Sequence, residues 1–248
     1  MTDVTNRTAL VTGASAGIGA ATARALSAAG ARVLLAARRV ERLEALAAEL
    51  PNSVVLPMDV RDPAAVAAAL EPFPEVDLVL ANAGKALGVE RLPEGEPAEW
   101  GDVIDTNVKG VLHVLHATLP HMIERGAGDM VLLGSVAGRQ VYPGGGVYNA
   151  TKYAVNALYH ALRLDAMGSG VRFTTVDPAM VETEFSVVRL HGDQTAADTV
   201  YQGMTPLTPE DVADAILYAV TRPPHVNVGE VVLWPTDQAS TRDVRRDG

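Results

Sequence analysis

The 248-residue chain has no cysteine. Disulfides, thiol nucleophiles and Cys-ligated metals are therefore excluded, and a reducing cytoplasm is the expected compartment. Aromatic residues are scarce, at 4%. The core must then come from aliphatic side chains, chiefly alanine and valine, which suits close packing of helices on a sheet. Basic residues are outnumbered by acidic ones, 20 against 30, for a net charge of −10. That balance argues against nucleic acid or an anionic membrane as partner, since either requires a basic face. No apolar run approaches the ~18 residues of a membrane span. Met1 to Arg7 is polar, with no stretch resembling a signal peptide. Linkers, repeats and low-complexity tracts are also missing, so residues 1–248 are expected to form a single domain.

What is present is a regular alternation. Short apolar runs occur at Thr8–Val11, Ala31–Ala37, Val54–Met58, Val76–Leu80, Met130–Leu133, Val171–Val176 and Val231–Trp234. Between them lie helical stretches: Gly19–Ala29, Val40–Leu50, the helix capped by Asp62-Pro63, Trp100–Met122 with Pro120 placed to bend it, Tyr148–Met167, and the helix capped by Thr208-Pro209. Several of the strand-like runs are continuously apolar, as in strands covered on both faces. The expected fold is α/β: a single-domain, Rossmann-type, doubly wound parallel sheet of about seven strands with helices on both faces. Tyr142–Gly146 and the polar segment Arg189–Gly203 read as loops over a site. A lid is expected at about residues 182–206.

Between the first run and the first helix stands Thr12-Gly13-Ala14-Ser15-Ala16-Gly17-Ile18-Gly19. Glycines at a strand–helix turn let the backbone approach a pyrophosphate, whose charge the helix N-terminus meets. The second run ends in Arg38-Arg39, and no acidic residue lies between Ala31 and Val40. A carboxylate there would bind a ribose 2′-hydroxyl; two arginines suit a 2′-phosphate instead. The cofactor expected is NADP(H) rather than NAD.

Tyr148 and Lys152 are four apart on a predicted helix and share a face. A nearby ammonium is expected to lower the phenol from its usual value near ~10, so that it can exchange a proton with a substrate oxygen. Ser135, at a strand end, can hydrogen-bond the same oxygen.

Together these motifs resemble the short-chain dehydrogenase/reductases over nearly the whole chain: Thr12-Gly13-x-x-x-Gly17-Ile18-Gly19, Asp59-Val60, Asn82-Ala83-Gly84, Asn107, Ser135, Tyr148-x-x-x-Lys152, and Pro178 with Thr183. The resemblance implies that Asp59 and Val60 bracket the adenine and that Asn82, Ala83 and Gly84 line the cofactor. It implies that Asn107 holds a water in a relay to Lys152, which also binds the nicotinamide ribose. Pro178 to Thr183, including Val181, would contact the carboxamide. Ala179 departs from the family's usual glycine and could alter that turn. A homotetramer, built on the two long central helices and the last strand, is likewise implied.

Thr183 to Arg189, Thr208 to Val212 and Pro235 to Gln238 are more narrowly similar to NADP-dependent 3-hydroxy acid (serine-type) dehydrogenases. These oxidise small β-hydroxy acids or reduce the matching semialdehydes. Arg189, in the expected lid, is then either a clamp for the substrate carboxylate or a tie for the lid itself. Lys85 and Arg139 flank the expected pocket, with solvated or structural roles favoured. His113, His116 and His121 share a helix, but no acidic residue between Val108 and Ile123 completes a ligand set, so no metal is expected. Two alternatives remain: a broad ketone or aldehyde reductase acting on neutral substrates, and a cofactor-sensing protein without turnover. The second typically lacks the tyrosine or lysine, both present here.

Overall fold

A strand packed on both faces needs apolar side chains at every position, and alternate residues must feed two separate cores. The computed structural model, which describes residues 3–247, shows this arrangement. Met1, Thr2 and Gly248 of the expected domain lie outside the described residues. Seven strands, β1 (Thr8–Thr12), β2 (Arg32–Ala37), β3 (Ser53–Pro57), β4 (Leu78–Ala81), β5 (Gly128–Leu133), β6 (Val171–Pro178) and β7 (Glu230–Leu233), form one sheet in the order β3-β2-β1-β4-β5-β6-β7. All six pairings are parallel.

Leu10, Leu34, Val79, Met130 and Leu132 point to one face, where they meet α3 (Pro63–Leu70), α5 (Gly110–Arg125) and α6 (Gly146–Asp165). Val11, Val33, Leu35, Leu80 and Val131 point to the other, against α1 (Gly17–Ala28), α2 (Val40–Glu49) and α9 (Pro209–Val220). Each fully buried Leu or Val contributes about 1.5–3 kcal/mol by leaving water. Helix starts follow the sequence signals. Asp62 accepts hydrogen bonds from the Ala64 and Ala65 amides, and Thr208 with Asp211 forms a reciprocal cap.

One expectation is refined and one needs correction. The helical run expected over Trp100–Met122 is present, from Pro97 to Arg125, as α4 (Pro97–Ile104), a π turn at Asp105–Lys109, and α5. Pro120 does not interrupt α5, while the wider turn, upstream, does alter the helix. The segment Arg189–Gly203, expected as loop, contains α8 (Gln194–Val200), started by the Asp193 side chain accepting from the Ala196 amide; α7 (Phe185–Arg189) precedes it. No helix of the described residues is long and apolar enough to cross a membrane.

Candidate active site

The chain crosses the sheet in opposite directions on either side of β1 and β4, so the loops at their C-terminal ends part and leave a crevice. It forms a cavity of about 680 Å³. Of the residues singled out from the sequence, Gly13, Ser15, Gly17, Ile18, Arg38, Arg39, Asp59, Val60, Asn82, Ala83, Gly84, Ser135, Tyr148, Lys152, Pro178, Val181, Thr183 and Arg189 line it. Gly19 and Asn107 stand behind the wall.

The glycine turn is required by geometry at two points. Gly13 adopts φ 68°, a left-handed conformation costly for other residues. A Cβ on Gly19 would lie 2.4 Å from the Gly13 carbonyl oxygen. Asn82 fastens the turn from β4: its Nδ2 donates to the Thr12 carbonyl at 2.8 Å, and its amide donates to the Thr12 hydroxyl at 3.0 Å. At the outer end, Arg39 Nε donates to Ser15 Oγ at 3.1 Å. The Arg38 side chain is exposed and has no hydrogen bond or ion pair among the described residues.

At the inner end, α6 brings Tyr148 and Lys152 to one face, with Lys152 Nζ 5.8 Å from the centre of the tyrosine ring. That ammonium donates to the Leu133 carbonyl at 2.7 Å. Burial moves Lys152 down to about 8, against the pull of the Asp177 carboxylate. Burial also pushes the Tyr148 phenol upward, and Tyr142 adds to the shift. The Ser135 hydroxyl and the Arg189 cation act the other way and do not win. Among this chain's own groups, loss of hydration therefore outweighs the neighbouring charge that lowers the phenol.

Asn107 sits in the π turn. Its Oδ1 accepts from the Lys85 amide at 2.8 Å, and its Nδ2 donates to the Lys85 carbonyl at 2.8 Å and to Thr151 Oγ1 at 3.0 Å. The side chain is thus engaged in joining α4–α5 to β4 and α6. Ala179 is accommodated without a left-handed backbone, so the family's glycine is not needed there for its φ.

Arg189 spans both readings offered for it. Nε donates to the Gly88 carbonyl at 3.0 Å, one terminal nitrogen to Tyr142 Oη at 2.8 Å and the other to the Gly144 carbonyl at 2.9 Å. It therefore ties α7 to two loops. Three of its five N–H groups are used, which leaves one on each terminal nitrogen. The cation also borders the cavity and pairs with no carboxylate among the described residues.

Arg139 does not border the cavity; it is held by Asp177 and Glu230. Lys85 does border it, but is paired with Asp102, which also binds Arg61, which in turn grips Asp59. His113 Nδ1 is bonded to the Val60 carbonyl at 2.8 Å, and no metal-binding group of residues occurs among the described residues. Glu184, Phe185 and Gln238 lie within the narrower motifs and Tyr201 falls in the expected lid, but sequence reasoning assigns none of them a place in the wall, where all four stand. Phe185 rests on the Tyr148 ring at 5.3 Å.

Comparison with known proteins agrees with this geometry. Residues 7–193 match the family model described as short chain dehydrogenase. The chain is 47% identical over 238 residues to sulfoacetaldehyde reductase 2 of Chromohalobacter salexigens, covering 93% of this chain and 94% of that one. It is 39% identical to the NADP-dependent 3-hydroxy acid dehydrogenase of Schizosaccharomyces pombe, covering 99% of both. Among solved structures, the closed form of serine dehydrogenase complexed with NADP+ superposes with a TM-score of 0.93 at 40% identity, over 97% of this chain and 100% of that one. The chain belongs to the short chain dehydrogenase family and is an oxidoreductase of that family.

Proposed function

We propose that this enzyme uses NADP(H) to interconvert small anionic aldehydes and the matching hydroxy acids. The observation that carries the substrate class is Arg189, a half-buried cation at the cavity wall with no carboxylate partner and two N–H groups to spare. The Glu90 carboxylate feels this charge without forming an ion pair with it, so both spare N–H groups stay open to an anionic substrate.

The residues fit the cofactor. The Gly13–Gly19 turn leaves room for a pyrophosphate at the start of α1, and Ser15, Arg38 and Arg39 offer donors to a 2′-phosphate. Asp59 and Val60 would flank the adenine; Asn82, Ala83 and Gly84 would line the middle. Pro178, Val181 and Thr183 would hold the nicotinamide end. Bound NADPH would supply the hydride. The chain's own residues handle the oxygen. Ser135 orients it, and Tyr148, kept protonated by burial, donates the proton. Lys152 places a positive charge beneath the phenol and would hold the ribose. A water serving Lys152 would meet the backbone of the π turn, because the Asn107 amide is already engaged. Residues 182–206, carrying Phe185 and Arg189, would act as the lid.

Both a carboxylate and a sulfonate satisfy a two-pronged cation, and the 47% identity to a sulfoacetaldehyde reductase favours including sulfonates. The test follows NADPH consumption with malonate semialdehyde, sulfoacetaldehyde and neutral aldehydes, repeated with NADH. Arg189→Gln is expected to raise KM for the anions by about 10–100-fold more than for neutral substrates, which share only the cost of a loosened α7. Turnover confined to neutral carbonyls would discard the anion site, and equal use of NADH would discard the NADP preference.

We also propose a homotetramer. The support is family likeness together with the exposed apolar side chains Leu112, Ile123, Tyr153 and Leu164 on α5 and α6. Solution scattering giving a monomer's mass would refute it.

A further inference from the structure

The arginines assigned to the 2′-phosphate are not all free. Glu184, the residue before α7, accepts from Arg39 at 2.9 Å and from Arg42 on α2 at 2.5 Å. Its side chain is 45% exposed, so the pair stands at the cavity mouth rather than in the core. Burial opposes its ionisation, but hydrogen bonds from Arg42 and Arg39 hold it below the usual carboxylate range, and it is charged at neutral pH. Arg39 meanwhile turns Nε toward Ser15, at the cofactor side. One guanidinium thus lies between a phosphate site and a carboxylate of the lid segment.

We propose that Glu184 is a specificity-setting latch: its carboxylate holds Arg39 and Arg42, and the 2′-phosphate of the entering cofactor must displace it or bind beside it. The inference rests on the NADP reading and adds a regulator to it. A 2′-phosphate carries close to two negative charges. Whether it replaces the carboxylate or binds beside it on the free edge of Arg39, it meets like-charge repulsion within a few ångströms. NADH, with a 2′-hydroxyl, meets almost none. Glu184 therefore narrows the advantage that Arg38 and Arg39 give to NADPH. The same ion pairs anchor the start of α7, whose Phe185 rests on Tyr148, so the latch joins the phosphate end of the cavity to the substrate end.

The experiment is fluorescence titration of wild type and Glu184→Gln with NADPH and with NADH, at about 0.02 M and about 1 M salt. The amide keeps the shape and removes the charge, and at a half-exposed position it leaves folding intact. The variant is expected to bind NADPH roughly three- to tenfold more tightly at low salt, with NADH changed by less than about twofold. The gain should shrink at 1 M, where the screening length is about 3 Å. A merely structural role would move both cofactors alike and be insensitive to salt. Unchanged or weaker NADPH binding, or equal tightening of both cofactors, overturns the latch. A wild-type enzyme that binds NADH as well as NADPH overturns the underlying NADP reading instead, whatever the variant does.

Discussion

Tyr148→Phe will cut turnover by about a hundredfold to ten-thousandfold while NADPH still binds, the range for loss of a positioned general acid. The substitution removes one oxygen and keeps the ring against Phe185, so it leaves the packing of α6 and α7 in place. The two nearby groups keep their own contacts: the Lys152 ammonium gives one of its three N–H groups to the Leu133 carbonyl, and Ser135 Oγ accepts from the Ala137 amide at 3.1 Å and donates to the Pro178 carbonyl at 3.3 Å. Direction of reaction sets the sign of the pH dependence. Burial keeps the phenol protonated through neutral pH, so it is ready to donate. Carbonyl reduction should hold across neutral pH and fall only on the alkaline side. Alcohol oxidation needs the phenolate and should rise with pH. Stopped-flow rates at saturating cofactor check both slopes. A residual rate within tenfold of wild type would remove Tyr148 from the proton step.

How far the sequence discloses this site depends on the range of the interaction involved. β2 and β4 are legible because strands covered on both faces must be apolar throughout, and Val33-Leu34-Leu35 and Leu78-Val79-Leu80 satisfy that locally. Tyr148 and Lys152 are legible because four residues of helix place them on one face. The Asp62 and Thr208 caps are legible for the same reason, since their partners lie two or three residues away. The π turn at Asp105–Lys109 is not, because what it serves is remote: the Asn107 side chain reaches across to Lys85 and Thr151. Charge partners are the least legible of all. Arg139 reads as a pocket residue until β6 and β7 bring Asp177 and Glu230 to it. Glu184 reads as one more surface carboxylate until the fold closes 142 residues of separation from Arg42. The phenol's upward shift was hidden as well, because burial is a property of the assembled cavity.

The second large effect is on stability, at the end of the strands opposite the cavity. Asp129→Ala will destabilise the fold by about 3–5 kcal/mol, the cost of stranding a buried charge. Asp129 on β5 is in register with Arg172 on β6, and the two side chains are only 6% and 10% exposed. Arg172 donates Nε to Asp129 at 2.7 Å and a terminal nitrogen to its second oxygen at 2.9 Å. Its remaining donors bind the carbonyls of Val220, Arg222, Pro223 and Val226, closing the loop after α9. Arg7, just before β1, reaches the same carboxylate. One negative charge therefore serves two cations and three separate pieces of backbone. Alanine leaves both guanidinium groups without a counter-ion in a place water reaches poorly. For a chain of this size the expected fall in Tm is roughly 6–20 °C, and the urea midpoint should drop in step. Asp129→Asn keeps an acceptor oxygen and removes only the charge, so it should cost less. Because the pair lies at the N-terminal ends of the strands, turnover per folded molecule should survive in both variants below their melting points. A Tm within about 2 °C of wild type for Asp129→Ala would mean that solvent or the surrounding carbonyls already balance the two arginines, and that this cluster is not a main support of the β5–β6 pairing.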